Sequence, residues 1–209
     1  MKICHISDTH SNHRELILPE SDILICSGDV SYNKDTFIDF LEWFSKQEAK
    51  YKIFVSGNHE EFPFNNGYQN TFDLCNDYGV IYLEDTEVII EGLKFYGSPW
   101  TSEFRDFYFI KTELGLEEVW DKIPDDIDIL ITHSPAFGVL DRLHSVHLGS
   151  PSLEDRLKEL KHLTYHFFGH IHNDYGVKGE YNSNYVSVNG AQCCHLNRLC
   201  GRKIPVFYI

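Results

Sequence analysis

The chain has 209 residues, of which 42% are hydrophobic and 14% aromatic, so it can bury a sizeable core and intrinsic disorder is excluded. Eighteen Lys and Arg residues against 32 Asp and Glu residues give a formal net charge of −14, which argues against a protein that tracks along nucleic acid. No apolar run approaches the ~18 residues that span a bilayer, and no basic, apolar leader opens the chain. We therefore expect one domain, residues 1–209, in a soluble cytoplasmic protein with no membrane partner.

The six cysteines form no CxxC pair. Cys4 and Cys26 lie in apolar, strand-like runs and are interpreted as small buried hydrophobes. The run 193–195 (Cys-Cys-His) with Cys200 does not have the spacing of a common zinc site, so packing is the simpler interpretation. Reduced thiols are therefore expected, as in a cytoplasmic protein.

The first third of the chain predicts the order strand, loop, strand, helix, strand. Three apolar runs predict buried strands at Lys2–Ser7, Ile23–Cys26 and Lys52–Val55. Apolar residues recur at helical spacing from Thr36 to Ala49, with Asp35 as the candidate N-cap. This order implies parallel strands, whose carboxyl ends and following loops meet at one edge of a sheet.

The rest of the chain predicts further strands and two helices. Residues 61–79 are rich in Asn and Gly and predict irregular structure, while Glu91-Gly92 predicts a two-residue hairpin turn. Helices are predicted near Thr112–Lys122 and after Ser150, where proline occupies the first helical position. The remaining predicted strands are Val80–Leu83, Val88–Ile90, Leu93–Tyr96, Asp128–Ile131, Thr164–Phe168, a short one around Val177, Tyr185–Val188 and Ile204–Tyr208.

Five of the predicted core strands end in residue types that bind metal ions. In chain order these residues are Asp8 and His10, Asp29, Asn58 and His59, His133, and His170 and His172. Each group alone is more often a polar turn or a satisfied histidine, and only the His-x-His pair is a specific signal. Their recurrence at successive strand ends favours a metal site. Carboxylates, an amide and imidazoles without a thiolate suit two borderline divalent ions (Mn, Fe, Co, Ni or Zn), with Mn favoured.

The charge balance of such a site bears on the substrate. Two dications, Asp8, Asp29 and a bridging hydroxide sum to about +1, which a phosphodiester monoanion would cancel. A monoester dianion would need further basic residues, and the motifs have few beside them. This balance mildly favours a diester, although Arg105, Arg142 or another histidine could approach the site in space.

The motifs resemble the five ordered motifs of the calcineurin-like metallophosphoesterases, and the resemblance runs from residue 3 to about 190. The matching residues are Asp8-x-His10, Gly28-Asp29, Gly57-Asn58-His59-Glu60, His133 and Gly169-His170-x-His172. Runs such as Tyr96–Thr101 and Asp128–His133 are similar to the MPPED-type (UPF0046-like) metallophosphodiesterase branch. The resemblance implies an α/β (α+β) fold, a four-layer α/β/β/α sandwich of two mixed β-sheets with metals at the sheet edges.

The resemblance also implies a role for each motif residue. One ion would be held by Asp8, His10, Asp29 and His172, and the other by Asp29, Asn58, His133 and His170. Asp29 would bridge the two ions, and a hydroxide shared between them would attack phosphorus in line. His59 would support or protonate the departing alkoxide, and Glu60 would orient His59.

Two residues outside the motifs are candidates for substrate binding. Trp100 would wall the pocket against an apolar or base moiety, although core packing is the more frequent role of tryptophan. His147 precedes the predicted helix N-terminus at Ser150, where anions are favoured, although a solvated loop histidine is the simpler interpretation.

The expected function is hydrolysis of small phosphodiesters, with no long nucleic acid as a partner. A phosphomonoesterase or protein phosphatase that uses the same two metals stays open. A nuclease is disfavoured by the negative charge and the lack of a basic stripe. A non-catalytic protein-binding scaffold is the remaining alternative, and the retention of every ligand position argues against it. The sequence does not determine the oligomeric state.

Overall fold

The computed structural model describes residues 1–103, 107–179 and 185–209, and two mixed β-sheets form its framework. In sheet order, the first sheet consists of β15 (Val206–Tyr208), β1 (Lys2–Ile6), β2 (Ile23–Cys26), β3 (Tyr51–Phe54) and β4 (Ile81–Tyr82). The second consists of β13 (Gly176–Gly179), β14 (Val186–Asn189), β12 (Tyr165–Phe168), β9 (Ile129–Thr132), β6 (Leu93–Ser98) and β5 (Thr86–Ile90). Two short pairs lie outside these sheets, β7 (Thr101–Ser102) with β8 (Ile110–Lys111), and β10 (Arg142–Leu143) with β11 (Val146–His147).

Strand direction follows the prediction. Strands β1 to β4 pair in parallel, and so do β6, β9, β12 and β14, so each sheet gathers the carboxyl ends of its parallel strands at one edge. The predicted hairpin between β5 and β6 is confirmed, with Ile90 paired to Leu93. Glu91 and Gly92 both have positive φ, 50° and 87°, which suits the right-handed twist of a two-residue hairpin.

The helices are α1 (Lys34–Ser45), α2 (Glu61–Asn66), α3 (Tyr68–Asp77), α4 (Glu113–Trp120) and α5 (Pro151–Glu159). Helix α1 begins two residues earlier than predicted, because Asn33 rather than Asp35 caps it and accepts from the N–H of Thr36. Ser150 caps α5, where its hydroxyl oxygen accepts from the N–H of Leu153, with proline at the first position as predicted.

Residues 61–79 were predicted to be irregular, and that prediction is wrong. They form α2 and α3, whose aromatic residues Phe62, Tyr68 and Phe72 pack against the core beneath α1. The Asn- and Gly-rich composition disfavours a helix locally, and burial of these side chains overrides that preference.

Three apolar clusters fill the spaces between adjacent layers. Ile25 and Ile53 of the first sheet meet Phe95, Ile131 and Phe167 of the second between the two sheets. A second cluster joins the outer face of the first sheet to α1, α2 and α3, and a third joins the outer face of the second sheet to α4 and α5. The layers therefore follow the predicted α/β/β/α order.

Two observations bear on the expected environment of the chain. Within the described ranges, no helix is long and apolar enough to cross a membrane. Cys194 and Cys200 form a disulfide, so the expectation of reduced thiols is wrong for this pair, while Cys193 is free and buried. Pairing requires close Cα atoms, here 5.8 Å apart, and that distance depends on the path of the chain rather than on cysteine spacing.

Candidate metal centre and active site

The candidate metal ligands lie in the loops that follow parallel strands of both sheets. The loops after β1, β2 and β3 carry Asp8, His10, Asp29 and Asn58, and those after β9 and β12 carry His133, His170 and His172. Since the two sheets face each other, these loops meet at the shared edge. The structure therefore brings all seven predicted ligands into one site.

Several of these loops turn sharply at the ligand itself. Asp8, His10, Asp29 and His170 all have positive φ, between 45° and 66°. Non-glycine residues seldom occupy this region, although Asp and His are enriched there, and such positions concentrate at functional sites. Sequence patterns do not show this conformation, which aims the side chains back toward the sheet edge.

Two glycines allow the loops to approach the ligands closely. A Cβ on Gly57 would lie 2.4 Å from Asp29 Oδ1, and one on Gly169 would lie 2.2 Å from Asp8 Oδ2. No side chain fits at those distances, so the motif glycines at these two positions make room for the carboxylates.

The ligand atoms fall into three groups, in each of which the atoms lie within 4.8 Å of one another. The groups are Asp8, His10 and His172; His10, Asp29 and His59; and Asp29, His133 and His170. Asn58 belongs with the last group, because its Oδ1 lies 3.1 Å from His133 Nε2. The buried carboxylate, amide and imidazole donors, without a thiolate, form a set that fits borderline divalent cations.

Hydrogen bonds to Nδ1 orient three of the imidazoles. His133 Nδ1 lies 2.7 Å from the Ser27 carbonyl oxygen, and His172 Nδ1 lies 3.3 Å from that of Cys194. His10 Nδ1 lies 2.9 Å from the Tyr32 hydroxyl. A proton on Nδ1 that is donated to such an oxygen leaves Nε2 free for a cation, as in many metal sites.

In the metal-free protein, the charges of neighbouring Asp and His side chains and their burial determine which side chains of the site are protonated. Burial alone would raise the pKa of Asp8, but the hydrogen bond and charge of His172 lower it to about 2. Burial opposes protonation of His133, yet the Asp29 carboxylate, 3.3 Å away, raises its pKa to about 9. Burial lowers the pKa of His170 to about 4. Burial would raise the pKa of Asp29, but the charges of His133 and His59 hold it well below its usual value. Both carboxylates are therefore ionised and His170 is neutral at pH 7.

Glu60 has a different role from the one predicted. Its buried carboxylate accepts hydrogen bonds from the N–H groups of Asp29 and Gly57, at 2.8 and 2.5 Å, and from those of Val30 and Ser31. Burial and the nearby Asp29 charge raise the pKa of Glu60, while these amides lower it. Because both oxygens are engaged by backbone, Glu60 fixes the loops after β2 and β3 rather than the ring of His59.

His59 faces the cavity at the edge of the cluster. The backbone N–H of His59 donates to Asp29 Oδ1 at 2.9 Å, which anchors the backbone at this residue. The side chain of His59 is 22% exposed. The ring lies 4.6 Å from that of Phe107 and in edge contact with His10. His59 Nε2 is 3.8 Å from Asp29 Oδ2, so this imidazole is close to the candidate ligands while it remains open to a substrate.

A cavity of about 310 Å³ opens beside the cluster. Its lining residues are Asp29, Asn58, His59, Ser102, Glu103, Phe107, Leu143, Leu148, His170, Ile171, His172, Asn173, Cys194, Leu196 and Asn197. Neither predicted substrate-binding residue is among them. Trp100 Nε1 donates to Asp85, and His147 Nδ1 lies 2.7 Å from Asp141 Oδ1 with its Nε2 facing Arg142. Arg105 lies outside the described residues.

Sequence reasoning missed several residues of the site. Tyr32 contacts the His10 ring, and Phe107 contacts the His59 ring. Leu143 and Leu148 lie on either side of a hairpin that no periodicity indicated. The nearness of Tyr32 to Asp29 in sequence was one available signal. The aromatic-rich stretch 101–125, which is expected to fold over the edge of the cleft, was a signal for Phe107. Nothing in the sequence indicated the two leucines.

This fold and this cluster define the chain as a metal-dependent phosphoesterase. Residues 1–174 match the family described as "Calcineurin-like phosphoesterase", and the chain belongs to that family. The resemblance seen in the motifs is thereby confirmed.

Curated relatives extend the match across the chain. The chain is 36% identical over 225 residues to UPF0046 protein K07C11.7 of Caenorhabditis elegans, which covers 100% of this chain and 75% of that protein. It is 32% identical over 219 residues to Metallophosphoesterase domain-containing protein 1 of Homo sapiens, with 92% and 66% covered. The chain thus spans about two thirds of the length of the human relative.

Solved structures share the fold. Phosphopantetheinyl Hydrolase (PptH) from Mycobacterium tuberculosis has a TM-score of 0.60 at 15% identity, over 91% of this chain and 88% of that one. The protein TT1561 of Thermus thermophilus has a TM-score of 0.59 at 12% identity, with 90% and 88% covered. At these identities the likeness concerns the fold alone.

Proposed function

We propose that this protein is a dinuclear-metal phosphodiesterase that hydrolyses small phosphodiesters. The observation that carries the proposal is the position of Asp29, which takes part in two of the three groups of ligand atoms. A carboxylate common to two groups suits a bridging ligand between ions about 4 Å apart. The proposal goes beyond the family, which includes other ester hydrolases.

The proposed ligand sets combine these groups. Asp8, His10 and His172 form one group, and with Asp29, whose Oδ2 lies 3.8 Å from His10 Nε2, they would hold one ion. Asp29, His133 and His170 form another group, and with Asn58 they would hold the second ion. Among the borderline divalent ions we favour Mn²⁺, because half of the donors are oxygens. Ions bound there would draw a nucleophile from water near neutral pH and offset charge on the phosphoryl oxygens during in-line attack.

His59 is the proposed acid of the reaction. Its ring faces the cavity, and its backbone is anchored to Asp29, so it can deliver a proton to a departing alkoxide without moving far. Glu60 supports that geometry by holding the N–H groups of Asp29 and Gly57 in the two adjoining loops.

The lining of the cavity supports a diester rather than a monoester. Among its described residues there is no Lys or Arg, and Glu103, which is not a proposed metal ligand, adds negative charge. A monoester dianion would find no basic partner there, whereas a diester presents one negative charge. A small phosphodiester is therefore the proposed partner, and the cytoplasm stays the proposed location.

Metal content and matched substrates test the proposal. We expect two ions per chain by elemental analysis after loading with Mn²⁺, and at least about tenfold higher kcat/KM for bis(4-nitrophenyl) phosphate than for 4-nitrophenyl phosphate. A content of one ion per chain would exclude a site in which Asp29 bridges two ions. A preference for the monoester would establish the phosphomonoesterase alternative instead, and a fully loaded protein inactive on both would favour a binding scaffold.

A further inference from the structure

One wall of the cavity has no part in the proposed chemistry. Five apolar side chains form this wall, which we call the apolar wall: Phe107, Leu143, Leu148, Ile171 and Leu196. Two of them reach the mouth, where Leu143 is 39% exposed and Leu196 is 71% exposed. Phosphoryl transfer itself needs charge and hydrogen bonds, so an apolar surface beside it bears on what else the substrate carries.

The hairpin side of the apolar wall is held in place by a buried carboxylate. Asp141, 1% exposed, accepts from the N–H groups of Gly138 and Gly149, at 3.0 and 3.1 Å, and pairs with His147 at 2.7 Å. The N–H of Leu148 donates to the Asp141 carbonyl oxygen at 3.0 Å. These bonds fix the backbone on both sides of the hairpin, so this side of the wall is already formed without a ligand.

Leu196 of the wall belongs to the disulfide loop, residues 194–200, which the Cys194–Cys200 bond closes. Asn12 Nδ2 donates to the carbonyl oxygen of Asn197 at 3.0 Å, and Asn197 Nδ2 donates to the Tyr32 hydroxyl at 2.9 Å. Leu196, which directly precedes this anchored residue, has φ 58°, a conformation that leucine seldom adopts. The loop therefore holds an exposed leucine at the cavity mouth against its local preference.

Charge along the cavity limits what can occupy this wall. Among the described lining residues there is no Lys or Arg, Glu103 is acidic and lies outside the proposed ligand sets, and the whole chain has a net charge of −14. A second anionic group on the substrate would be repelled and would find no partner. An uncharged apolar group would instead remove Leu143 and Leu196 from water, which is favourable.

We propose that the apolar wall is a specificity site for an uncharged, ring-sized apolar ester group on a phosphodiester with a single negative charge. This inference rests on the proposed function and states which diesters the same site accepts. The rings of Phe107 and His59 are 4.6 Å apart, so the wall begins where the proposed acid meets the substrate. The wall would hold the ester group that stays on phosphorus, while the departing alkoxide faces His59.

Two substrates that differ by one carboxylate test the inference. Phenyl 4-nitrophenyl phosphate and 4-carboxyphenyl 4-nitrophenyl phosphate have the same leaving group and nearly the same size. With the Mn²⁺-loaded protein we expect kcat/KM to be about tenfold higher for the phenyl compound, with most of the difference in KM. Calorimetric titration with diphenyl phosphate and its carboxylated counterpart should give a similar ratio of Kd values, independently of turnover.

Charge added to the wall should reverse the preference. Leu143→Lys and Leu196→Lys each change an exposed side chain, so the fold should tolerate them. In the double variant we expect the carboxylated compound to equal or exceed the phenyl compound. The double variant Ile89→Lys, Val177→Lys is the matched control, because it adds the same two charges at exposed strand positions outside the cavity, and it should leave the preference unchanged.

The outcomes separate this inference from the proposed function. Equal kcat/KM and equal Kd for the two wild-type pairs would overturn the specificity site while phosphodiesterase activity stands. An undiminished preference in the double lysine variant would overturn it as well. Tighter binding of diphenyl phosphate with no hydrolysis of either diester would overturn the proposed function and support the specificity site.

Discussion

The floor and the apolar wall of the cavity are built in different ways. The floor consists of buried ligands such as Asp8, Asp29 and His133, each bound by backbone or side-chain groups of neighbouring loops. The wall includes exposed residues on surface segments, Leu143 on the hairpin of β10 and β11 and Leu196 on the loop closed by a disulfide, although its Ile171 is buried. Chemistry thus depends on the rigid sheet edges, while selectivity depends on surface segments that tolerate change.

The centre of the floor should be the most sensitive position. Asp29→Ala removes the carboxylate common to two ligand groups, so we expect loss of both ions by elemental analysis and at least ~10³-fold lower kcat/KM. Asp126→Ala, at an exposed carboxylate outside the cavity, is the control and should keep both ions. An Asp29→Ala protein that retains two ions would remove the bridge from the proposed site.

His59→Ala tests the open edge of the floor. Because His59 is proposed to protonate the leaving group, we expect both ions to be retained and kcat to fall by ~10²- to 10⁴-fold, most for poor alkoxide leaving groups. Exposed His162 provides the control, since His162→Ala alters a histidine outside the cavity. Loss of an ion from His59→Ala would instead assign this imidazole to the metal, in keeping with its group with His10 and Asp29.

Gly169→Ala tests how tightly the floor is packed. Its Cβ would lie 2.2 Å from Asp8 Oδ2 and 2.0 Å from Ser7 Oγ, so the carboxylate must move, and we expect ~10- to 100-fold weaker metal binding by calorimetry. Gly115→Ala, in α4, has no neighbour nearer than 3.4 Å and should stabilise the fold by up to ~1 kcal/mol. Equal metal affinity in the two variants would show that Asp8 can shift to make room for the new methyl group without weakening metal binding.

Buried His166, on the strand β12 that leads into the floor, should make the free energy of unfolding depend on pH. His166 on β12 is buried, and burial lowers its pKa to about 3, against about 6.5 in an unfolded chain. The folded state therefore binds fewer protons below pH 6.5, so this group contributes stability that is lost as pH falls from 6.5 toward 3, by up to ~1.4 kcal/mol per pH unit. Asp8 acts only at lower pH, because its pKa of about 2 and its unfolded value both lie below 4.

His166→Gln checks that contribution. The glutamine amide can donate to Thr132 Oγ1, which lies 2.8 Å from His166 Nε2, and it does not titrate. Urea unfolding of the metal-free protein at pH 6.5 and 4.5 should show a smaller loss of stability in this variant than in the wild type. The same loss in both proteins would mean that His166 is protonated in the fold.

Changes to the apolar wall should have the smallest effects on activity. Cys200→Ser opens the disulfide loop, which carries Leu196 and whose Cys194 carbonyl oxygen lies 3.3 Å from His172 Nδ1. We expect a rise of a few fold in KM for an apolar diester, with kcat and metal content nearly unchanged. Reduction of the wild-type disulfide should reproduce this effect, whereas a large loss of metal would make the loop part of the floor.

Local patterns in the chain were enough to predict the parallel core strands and the polar residues that gather where those strands end, because both signals lie in neighbouring residues. The layer order was predicted from the resemblance to the calcineurin-like metallophosphoesterases rather than from local patterns. They also placed Ser150 at the start of α5, since capping depends on adjacent residues. Local signals failed wherever long-range packing overrode them, as in the helices of residues 61–79.

Functions that join distant segments became visible only in the folded chain. Glu60 lies one residue from His59 in sequence, yet it binds backbone amides across two loops. The apolar wall arises from segments up to about ninety residues apart, such as those of Phe107 and Leu196. Contacts of that kind depend on how the two sheets and their loops pack together in space. Patterns among neighbouring residues in the sequence do not predict that packing.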